Sequence, residues 1–174
     1  QNFSLPERAF VQFMTQRSVK VAASISAPSA FVAEQINTRY PEAKVAATCV
    51  YWGSPTPEEL SGPITEVTAL IGKRFAYFPA ANWRHKNHEQ LIASWPDVAG
   101  LDLVLTGGRD AGGPNIEALI QASSAKARIH DLRRTGRDIV RWLYMNADMM
   151  VFPTGYEGFG LPVAEAASFG VAPV

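Results

Sequence analysis

The sequence predicts an α/β fold in which a parallel sheet carries helices on both faces. Short apolar runs bounded by turn residues are typical of buried strands, and they alternate here with helical patterns along most of the chain. The clearest strands are residues 74–79 and 101–106, and each is followed by a loop and then by a helical pattern. This alternation predicts parallel strands joined by helical crossovers.

The individual elements follow from their own local patterns. Ser4 and Glu7, and likewise Asn87 and Gln90, have the spacing of capping pairs at the start of a helix. The predicted helices are residues 4–17, 28–40, 87–98 and 115–126, with two more that begin at Arg137 and Pro162. The predicted strands are residues 19–25, 45–51, 74–79, 101–106, 128–132 and 149–152. Residues 53–65 contain three prolines and two glycines and predict a loop.

Composition limits the classes of function that the chain can have. Lys and Arg total 16, as do Asp and Glu, so the net charge of zero does not indicate a nucleic-acid or anionic membrane surface. The single Cys49 excludes an intrachain disulfide framework and fits a reducing cytoplasm. No apolar run approaches 18 residues. The chain begins at Gln1 and ends in a strand-like run without a following helix, so we expect a fragment of a longer protein, cut at both ends.

The stretch from residue 149 to residue 170 joins a strand, a glycine loop and a helix. Its apolar start ends at Pro153, three glycines follow at positions 155, 158 and 160, and Pro162 suits the first turn of a helix. The loop backbone and the helix N-terminus present N–H groups and a positive dipole. This arrangement favours a bound phosphate.

Two carboxylates in this stretch need an explanation. Glu157 lies in the loop, whereas Glu165 lies in the helix between apolar neighbours. A carboxylate that leaves water needs hydrogen-bond donors, and ribose hydroxyls are one source of them. The alternative is a surface-loop Glu157 and a core Glu165 that is satisfied by a neighbouring arginine.

Glu157 and Glu165, with seven residues between them that include the segment 158–162, closely resemble the Glu-x7-Glu motif of family-4 glycosyltransferases (glycosyl transferases group 1). The resemblance extends back to about Arg74, and more loosely to the N-terminus. Enzymes of this family have the two-domain GT-B fold, are mostly retaining, and carry the motif in their C-terminal, donor-binding domain. The resemblance therefore implies a leading strand–helix–strand segment over residues 1–65, packed on the same domain, and a Rossmann-like donor-binding core over residues 66–174 that lacks its C-terminal end.

The resemblance also implies roles for the residues of the motif. Glu157 would hold the donor-sugar hydroxyls, and Glu165 would hold the ribose. The sugar and the phosphates would be contacted by the backbone amides of Gly158, Phe159, Gly160 and Leu161.

Lys86 lies just before a predicted helix, at the sheet edge where open α/β folds bind ligands. A fixed cation there can neutralise a departing diphosphate, although a solvated loop lysine is the ordinary alternative. Residues 83–88 resemble the family's helix-opening Lys-Asn segment, which implies the diphosphate role. Many members place an Arg five residues earlier, where this chain has Ala81, and Arg84 is the candidate substitute.

Two further loops contain candidate contacts. Residues 107–113 predict a mobile glycine loop. The preceding strand and the start of this loop resemble the family's strand that ends in Thr-Gly, which implies that Gly107 makes a backbone contact near the phosphates. Arg133, Arg134 and Arg137 follow the next strand, where the family receives the nucleobase. These arginines would stack on a base or meet phosphate, and Arg134 is the candidate substrate-binding residue among them. The alternative is that they form a basic surface.

The resemblance thus implies a hexosyltransferase that uses a nucleotide-sugar donor and retains the anomeric configuration. The nucleotide-sugar is a substrate, and neither a cofactor nor a metal is expected, since the pair His85 and His88 is by itself a weak indication of a metal site. The acceptor would be a lipid-linked sugar or a polysaccharide at the cytoplasmic face of the membrane. A missing N-terminal domain would bind this acceptor and make any membrane contact. The isolated chain is expected to be inactive. The alternatives are a non-catalytic nucleotide-binding or scaffold domain, and a sugar-nucleotide epimerase or a phosphorylase that shares the fold.

Overall fold

The computed structural model describes residues 4–53, 64–110 and 112–174. The chain divides into two compact units, of which the first comprises Gln1–Gly53 with Glu157–Phe159 and the second comprises Ser54–Tyr156 with Gly160–Val174. Most of the loop predicted at residues 53–65 lies outside the described residues. The predicted division at residue 65 into a leading segment and a donor-binding core stays a prediction.

The first unit contains two helices and two short strands. In chain order these are α1 (Leu5–Val21), β1 (Ile25–Ala27), α2 (Ala30–Arg39) and β2 (Ala47–Cys49). The two strands pair in parallel, with Ile25 opposite Ala47. Ala27, Ala33 and Ala47 are the buried residues of a small core.

The start of α1 is as predicted, but its length is not. The Glu7 carboxylate accepts hydrogen bonds from both the backbone N–H and the hydroxyl of Ser4, each at 2.8 Å. The helix continues to Val21, so the strand predicted at residues 19–25 is wrong over most of its length. No glycine or proline interrupts the chain there, and the cost of a valine in a helix is only a few tenths of a kcal/mol. β2 is likewise shorter than the predicted strand at residues 45–51.

The second unit alternates strands and helices as predicted. Its elements are β3 (Phe75–Pro79), α3 (His88–Ser94), β4 (Asp102–Thr106), α4 (Ile116–Ala122), β5 (Ile129–Arg133), α5 (Arg137–Asn146), β6 (Met149–Met150) and α6 (Leu161–Ser168). Short 3₁₀ segments lie at Thr65–Leu70, Arg84–Lys86, Trp95–Asp97 and Lys126–Arg128. The helix predicted at residues 87–98 ends early in the 3₁₀ segment that contains Pro96, and α4 is shorter than predicted.

The four strands of this unit form one parallel sheet in the order β5-β4-β3-β6. Residues 75–78 of β3 are fully buried, as expected for a central strand that is covered on both faces. One apolar cluster contains Leu91 of α3 and Ile116 of α4, and the other contains Leu143 of α5 and Ala166 of α6. The predicted fold class, a parallel α/β sheet with helices on both faces, is confirmed.

The order of the strands reverses at β3. The chain proceeds from β3 to β4 to β5 in one direction and then returns to place β6 on the other side of β3. In open α/β sheets, ligands bind at the carboxyl ends of the two strands that flank such a reversal. The edge between β3 and β6 is therefore where a ligand is expected.

Candidate functional site

The loops that follow β3 and β6 are joined by two hydrogen bonds at the carboxyl edge of the sheet. The Gly155 N–H donates to the His85 carbonyl at 2.8 Å. The Asn87 side-chain amide donates to the Pro153 carbonyl at 2.6 Å. These bonds fix the loop that carries Lys86 against the loop that leads to α6.

Asn87 does not cap its helix in the predicted way. It occupies the N-cap position of α3, but its backbone is left-handed, with φ 57° and ψ 35°, and its side chain makes no capping hydrogen bond. The predicted capping pair with Gln90 is therefore wrong, because the Asn87 amide is used between the loops. Asparagine tolerates the left-handed conformation better than most residues, which suits it to this role.

Phe152 lies between Lys86 and the start of α6. The Lys86 ammonium is 5.6 Å from the centroid of the Phe152 ring. The same ring lies 3.8 Å from the position that a Cβ would take on Gly160. The cation of the β3 loop and the N-terminus of α6 therefore share one neighbour on this edge.

The N-terminus of α6 has the features of an anion site. Gly160 caps the helix with φ 78° and ψ 47°, and Pro162 lies in the first turn, as predicted. The Val163 N–H donates to the Gly160 carbonyl at 2.9 Å. The first N–H groups of a helix lack intrahelical acceptors and stand at the positive end of its dipole, so they favour a negatively charged group.

Glu165 has a hydrogen-bond donor, but the donor is not an arginine. The buried Tyr144 hydroxyl on α5 donates to Glu165 Oε2 at 2.8 Å. The alternative of a core Glu165 satisfied by a neighbouring arginine is therefore not what the structure shows. Burial, with the nearby Glu165 carboxylate as a smaller cause, raises the pKa of Tyr144, so this hydroxyl keeps its proton.

Gly107 is required by the close approach of three loop backbones. Its φ is +131°, and a Cβ at this position would stand 2.3 Å from the Ala80 carbonyl oxygen. Its N–H donates to the Arg133 carbonyl at 2.8 Å. The Arg134 guanidinium reaches the same loop, with Nη2 3.6 Å from the Cβ position on Gly108.

The glycine loop after β4 is anchored by Asn82. The Asn82 amide donates to the carbonyls of Asp110 and Pro114 at 3.2 and 3.0 Å, and its oxygen accepts from the Asp110 N–H at 2.6 Å. Arg109 forms an ion pair with Asp131 and donates to the Gly107 carbonyl at 3.1 Å. The described part of this predicted mobile loop is therefore tied to its neighbours, and Arg109 is occupied in holding it.

A cavity of about 320 Å³ lies beside this glycine loop. Its lining combines both signs of charge with amide groups and includes Asn82, Arg109, Asn115, Glu117, Asp131 and Arg133. Lys86 and Glu165 do not line it. It therefore belongs to the α4 side of the edge, away from the contact of Lys86 with Phe152.

Residues 157–159 of the motif belong to the first unit. The Ser29 hydroxyl, at the N-cap of α2, donates to the Gly158 carbonyl at 2.6 Å. The Phe159 ring lies 6.3 Å from the Tyr51 ring and 6.2 Å from the Trp52 ring, measured between centroids. The backbone after Glu157 is thereby held within this unit.

His88 is a core residue. It is 1% exposed, and its ring lies 4.8 Å from the Phe78 ring. Burial, followed by the nearby Arg109 charge, lowers the pKa of His88 to about 4. Among residues 4–53, 64–110 and 112–174, no group of three or more His, Cys, Asp or Glu side chains is placed to hold a metal ion. In the same ranges, no helix is both long enough and apolar enough to cross a membrane.

The structure thus distributes the predicted site residues over three places. Lys86, Gly160 and Leu161 lie at the edge between β3 and β6, with Glu165 farther along α6. Gly107 and Arg134 lie on the neighbouring loops, and Arg84 is exposed in the 3₁₀ segment before α3. Glu157, Gly158 and Phe159 lie in the first unit.

Sequence reasoning missed the side chains that position these residues. They are Ser29, Asn82, the cross-loop bond of Asn87, and Tyr144. Only Tyr144 left a signal in the sequence, since a tyrosine on the apolar face of a helix needs a hydrogen-bond partner.

Comparisons with known proteins agree with this fold. Residues 67–174 match the family model described as "Glycosyl transferases group 1". Sucrose-phosphate synthase from Thermosynechococcus elongatus is similar in structure over 99% of this chain and 45% of its own, with 20% identity and a TM-score of 0.75. WaaG, a glycosyltransferase involved in lipopolysaccharide biosynthesis, has 14% identity and a TM-score of 0.75, over 98% of this chain and 49% of its own.

A third structure is that of Anabaena Alr3699/HepE in complex with UDP and glucose. It has 15% identity and a TM-score of 0.73, over 98% of this chain and 48% of its own. This chain therefore spans about half the length of each of these three proteins. A comparison with curated protein sequences gives no match.

Proposed function

This chain belongs to the glycosyl transferases group 1 family, and from that premise we propose that it is the donor-binding part of a retaining hexosyltransferase. The donor is a nucleotide-sugar, and the acceptor is a lipid-linked sugar or a polysaccharide at the cytoplasmic face of the membrane. Acceptor binding, and any membrane contact, belong to a further N-terminal domain. The complex of HepE with UDP and glucose supports a donor of this chemical class.

The observation that carries this proposal is the contact of Phe152 with both Lys86 and the start of α6. Through this shared contact, a cation and a helix N-terminus lie together at the carboxyl edge between β3 and β6, where the strand order reverses. A nucleoside diphosphate carries the charge that suits both groups. Lys86 stabilises the negative charge that grows on the diphosphate as the bond to the sugar breaks, and the amides of Gly160 and Leu161 bind phosphate oxygens.

The remaining residues bind the other parts of the donor. Glu165 accepts hydrogen bonds from the ribose hydroxyls, and Glu157 accepts them from the transferred sugar, with backbone contacts at Gly158 and Phe159. Gly107 contributes a backbone contact near the phosphates. Arg84 is the candidate second cation, in a chain that has Ala81 where many members of the family have arginine. Arg134 stacks on the nucleobase or meets phosphate. These roles do not require a metal ion.

Calorimetric titration with UDP, GDP, ADP and dTDP tests the proposal. We expect one of these diphosphates to bind in preference to the others, and its hexose conjugate to bind as well. If none of the four binds, the proposal is wrong. Binding with no sugar transfer by the longer protein would instead favour a non-catalytic nucleotide-binding domain.

The variant Glu157→Ala separates the sugar contact from the nucleotide contacts. We expect it to lower the affinity for the nucleotide-sugar by roughly tenfold, the effect of losing a hydrogen bond to a charged group, and to leave the affinity for the free diphosphate within about twofold. Glu34→Ala, at an exposed position on α2, is the matched control and should change neither affinity. Equal losses for both ligands in Glu157→Ala would contradict the sugar-binding role.

A further inference from the structure

The hydrogen bond between Tyr144 and Glu165 connects two helices that cover the same face of the sheet. Tyr144 lies on α5 and is 1% exposed, and its hydroxyl is 2.8 Å from Glu165 Oε2 on α6. Tyr144 and Ala166, the residue after Glu165, belong to one apolar cluster. The tyrosine thus delivers a single polar group to α6 from within the core.

The aromatic surroundings of Tyr144 fix the position of that hydroxyl. The Tyr77 ring meets the Tyr144 ring edge to face, with centroids 5.0 Å apart. The Phe169 ring stacks on it, with centroids 5.4 Å apart and an angle of 7° between the planes. Rings packed in this way leave a side chain little freedom, so the tyrosine oxygen is a fixed point from which Glu165 is held.

Only one oxygen of the carboxylate receives this bond. The tyrosine donates to Oε2, and a carboxylate has lone pairs on two oxygens, so Glu165 retains acceptor capacity at Oε1. A vicinal diol offers two O–H donors, which match the acceptors that remain. Burial raises the pKa of Tyr144, so the tyrosine keeps the proton that it donates in this bond.

We propose that Tyr144 is a positioning residue that orients Glu165 to accept the 2′- and 3′-hydroxyls of the ribose. The proposal rests on the proposed function, since it takes Glu165 as the ribose contact. It adds that the preference of this site for a ribonucleotide depends on a core tyrosine that does not itself contact the ligand. Without the tyrosine hydroxyl, the carboxylate can turn, and the diol loses a pre-oriented acceptor.

The test compares ribonucleoside diphosphates with analogues that lack the diol. Wild type is titrated with UDP, GDP and ADP and with the 2′,3′-dideoxy form of each, and the base that binds most tightly is kept. Tyr144→Phe should lower the affinity for the ribonucleotide about tenfold and leave the affinity for its dideoxy analogue within about twofold. A purely structural role would instead lower both affinities together.

Two further variants complete the design. Tyr77→Phe is the matched control, because it removes another buried tyrosine hydroxyl, whose bond runs to Thr106 Oγ1 at 2.7 Å and not to Glu165. It should leave the ratio of the two affinities unchanged. In a Glu165→Ala background, Tyr144→Phe should have no further effect on ribonucleotide affinity, because the two residues act as one unit.

The outcomes separate failure of the proposed function from failure of the proposed role of Tyr144. If wild type binds neither dTDP nor any of the six nucleotides, the proposed function fails and this inference fails with it, whereas binding of dTDP alone overturns only the inference. If wild type prefers the ribonucleotide and Tyr144→Phe keeps that preference, the proposed function stands and the inference is overturned. Thermal unfolding of each variant identifies any loss of fold. Where Tyr144→Phe is less stable, adding it to Glu165→Ala distinguishes lost stability, which lowers the affinity further, from lost orientation of Glu165, which does not.

Discussion

At the scale of single residues, Lys86 is the side chain whose substitution tests the diphosphate site. Replacing Lys86 by methionine keeps the apolar stem and removes the charge that lies over Phe152. We expect the affinity for UDP, or for the diphosphate that binds best, to fall about tenfold or more, which corresponds to about 1.4 kcal/mol. Isothermal titration calorimetry at low and at moderate salt measures the loss, which should shrink as the salt is raised.

Lys73→Met is the control for this experiment. Lys73 precedes β3 and forms an ion pair with Asp102 at 3.3 Å, so it lies at the amino end of the strand whose carboxyl end leads to Lys86. The loss of this exposed charge should leave nucleotide affinity unchanged. Equal effects of the two substitutions would mean that Lys86 acts only through the net charge of the protein.

His88 makes stability depend on pH in a defined direction. Its pKa in the folded state is about 4, lowered by burial from an ordinary 6.5, so between these values the unfolded chain binds more protons than the folded chain does. The free energy of unfolding therefore falls as the pH decreases from 6.5 towards 4, by up to about 3 kcal/mol from this residue alone.

The variant His88→Leu isolates this contribution. Urea unfolding at several pH values from 7.5 to 4 should show a smaller loss of stability in the variant than in wild type over the same interval. The carboxylates titrate equally in both proteins, so the difference between the two curves belongs to His88. Parallel curves would show that His88 is not the titrating group.

At the scale of elements, the loops at the carboxyl edge are held by side chains that bond to distant backbone groups. Asn82 is 3% exposed and makes three hydrogen bonds to residues 110 and 114. Asn82→Ala leaves these buried groups without their partner. We expect a loss of roughly 2–4 kcal/mol in the free energy of unfolding, measured from urea midpoints.

Asn146→Ala provides the comparison for Asn82→Ala. Asn146 is exposed, and its amide bonds only to the Trp142 carbonyl one turn earlier in α5, at 2.8 Å. Its replacement should cost less than about 1 kcal/mol. Similar losses for the two variants would show that Asn82 does not hold the glycine loop.

The elements that the sequence predicts well are those whose signal is local. Residues 75–79 and 103–105 form continuous apolar runs because both faces of a central parallel strand are covered. The start of α5 at Arg137 also appears where the pattern predicts it. The end of α1 was missed because Val19 and Val21 suit a strand as well as a helix, and no glycine or proline separates them from the preceding turn.

The candidate site was predictable only in part, for the same reason. Its motif residues occur at a spacing that the sequence shows, whereas the contacts that position them are not local. Asn87 bonds to Pro153, which is 66 positions away, and Tyr144 bonds to Glu165 from another helix. The need of Glu165 for a donor followed from its apolar neighbours, but the identity of that donor required the fold.

At the scale of the whole molecule, the chain spans 45–49% of the length of the solved structures reported above. Transfer of a sugar requires an acceptor beside the donor, and we assign acceptor binding to a further domain. We therefore expect the 174-residue chain to bind a nucleoside diphosphate weakly and to transfer no sugar. An assay with labelled UDP-hexose and a range of glycan acceptors checks this, and turnover by the chain alone would contradict the assignment.

The central claim is that the carboxyl edge between β3 and β6 binds the diphosphate of a nucleotide-sugar, and hydrogen–deuterium exchange tests it most directly. Exchange is measured on the wild-type chain with and without a saturating concentration of the diphosphate that binds best. We expect slower exchange in residues 84–88 and 160–165, with no change in residues 71–74 at the opposite edge. Protection confined to other segments, such as the loop beside the Arg109 cavity, would contradict it.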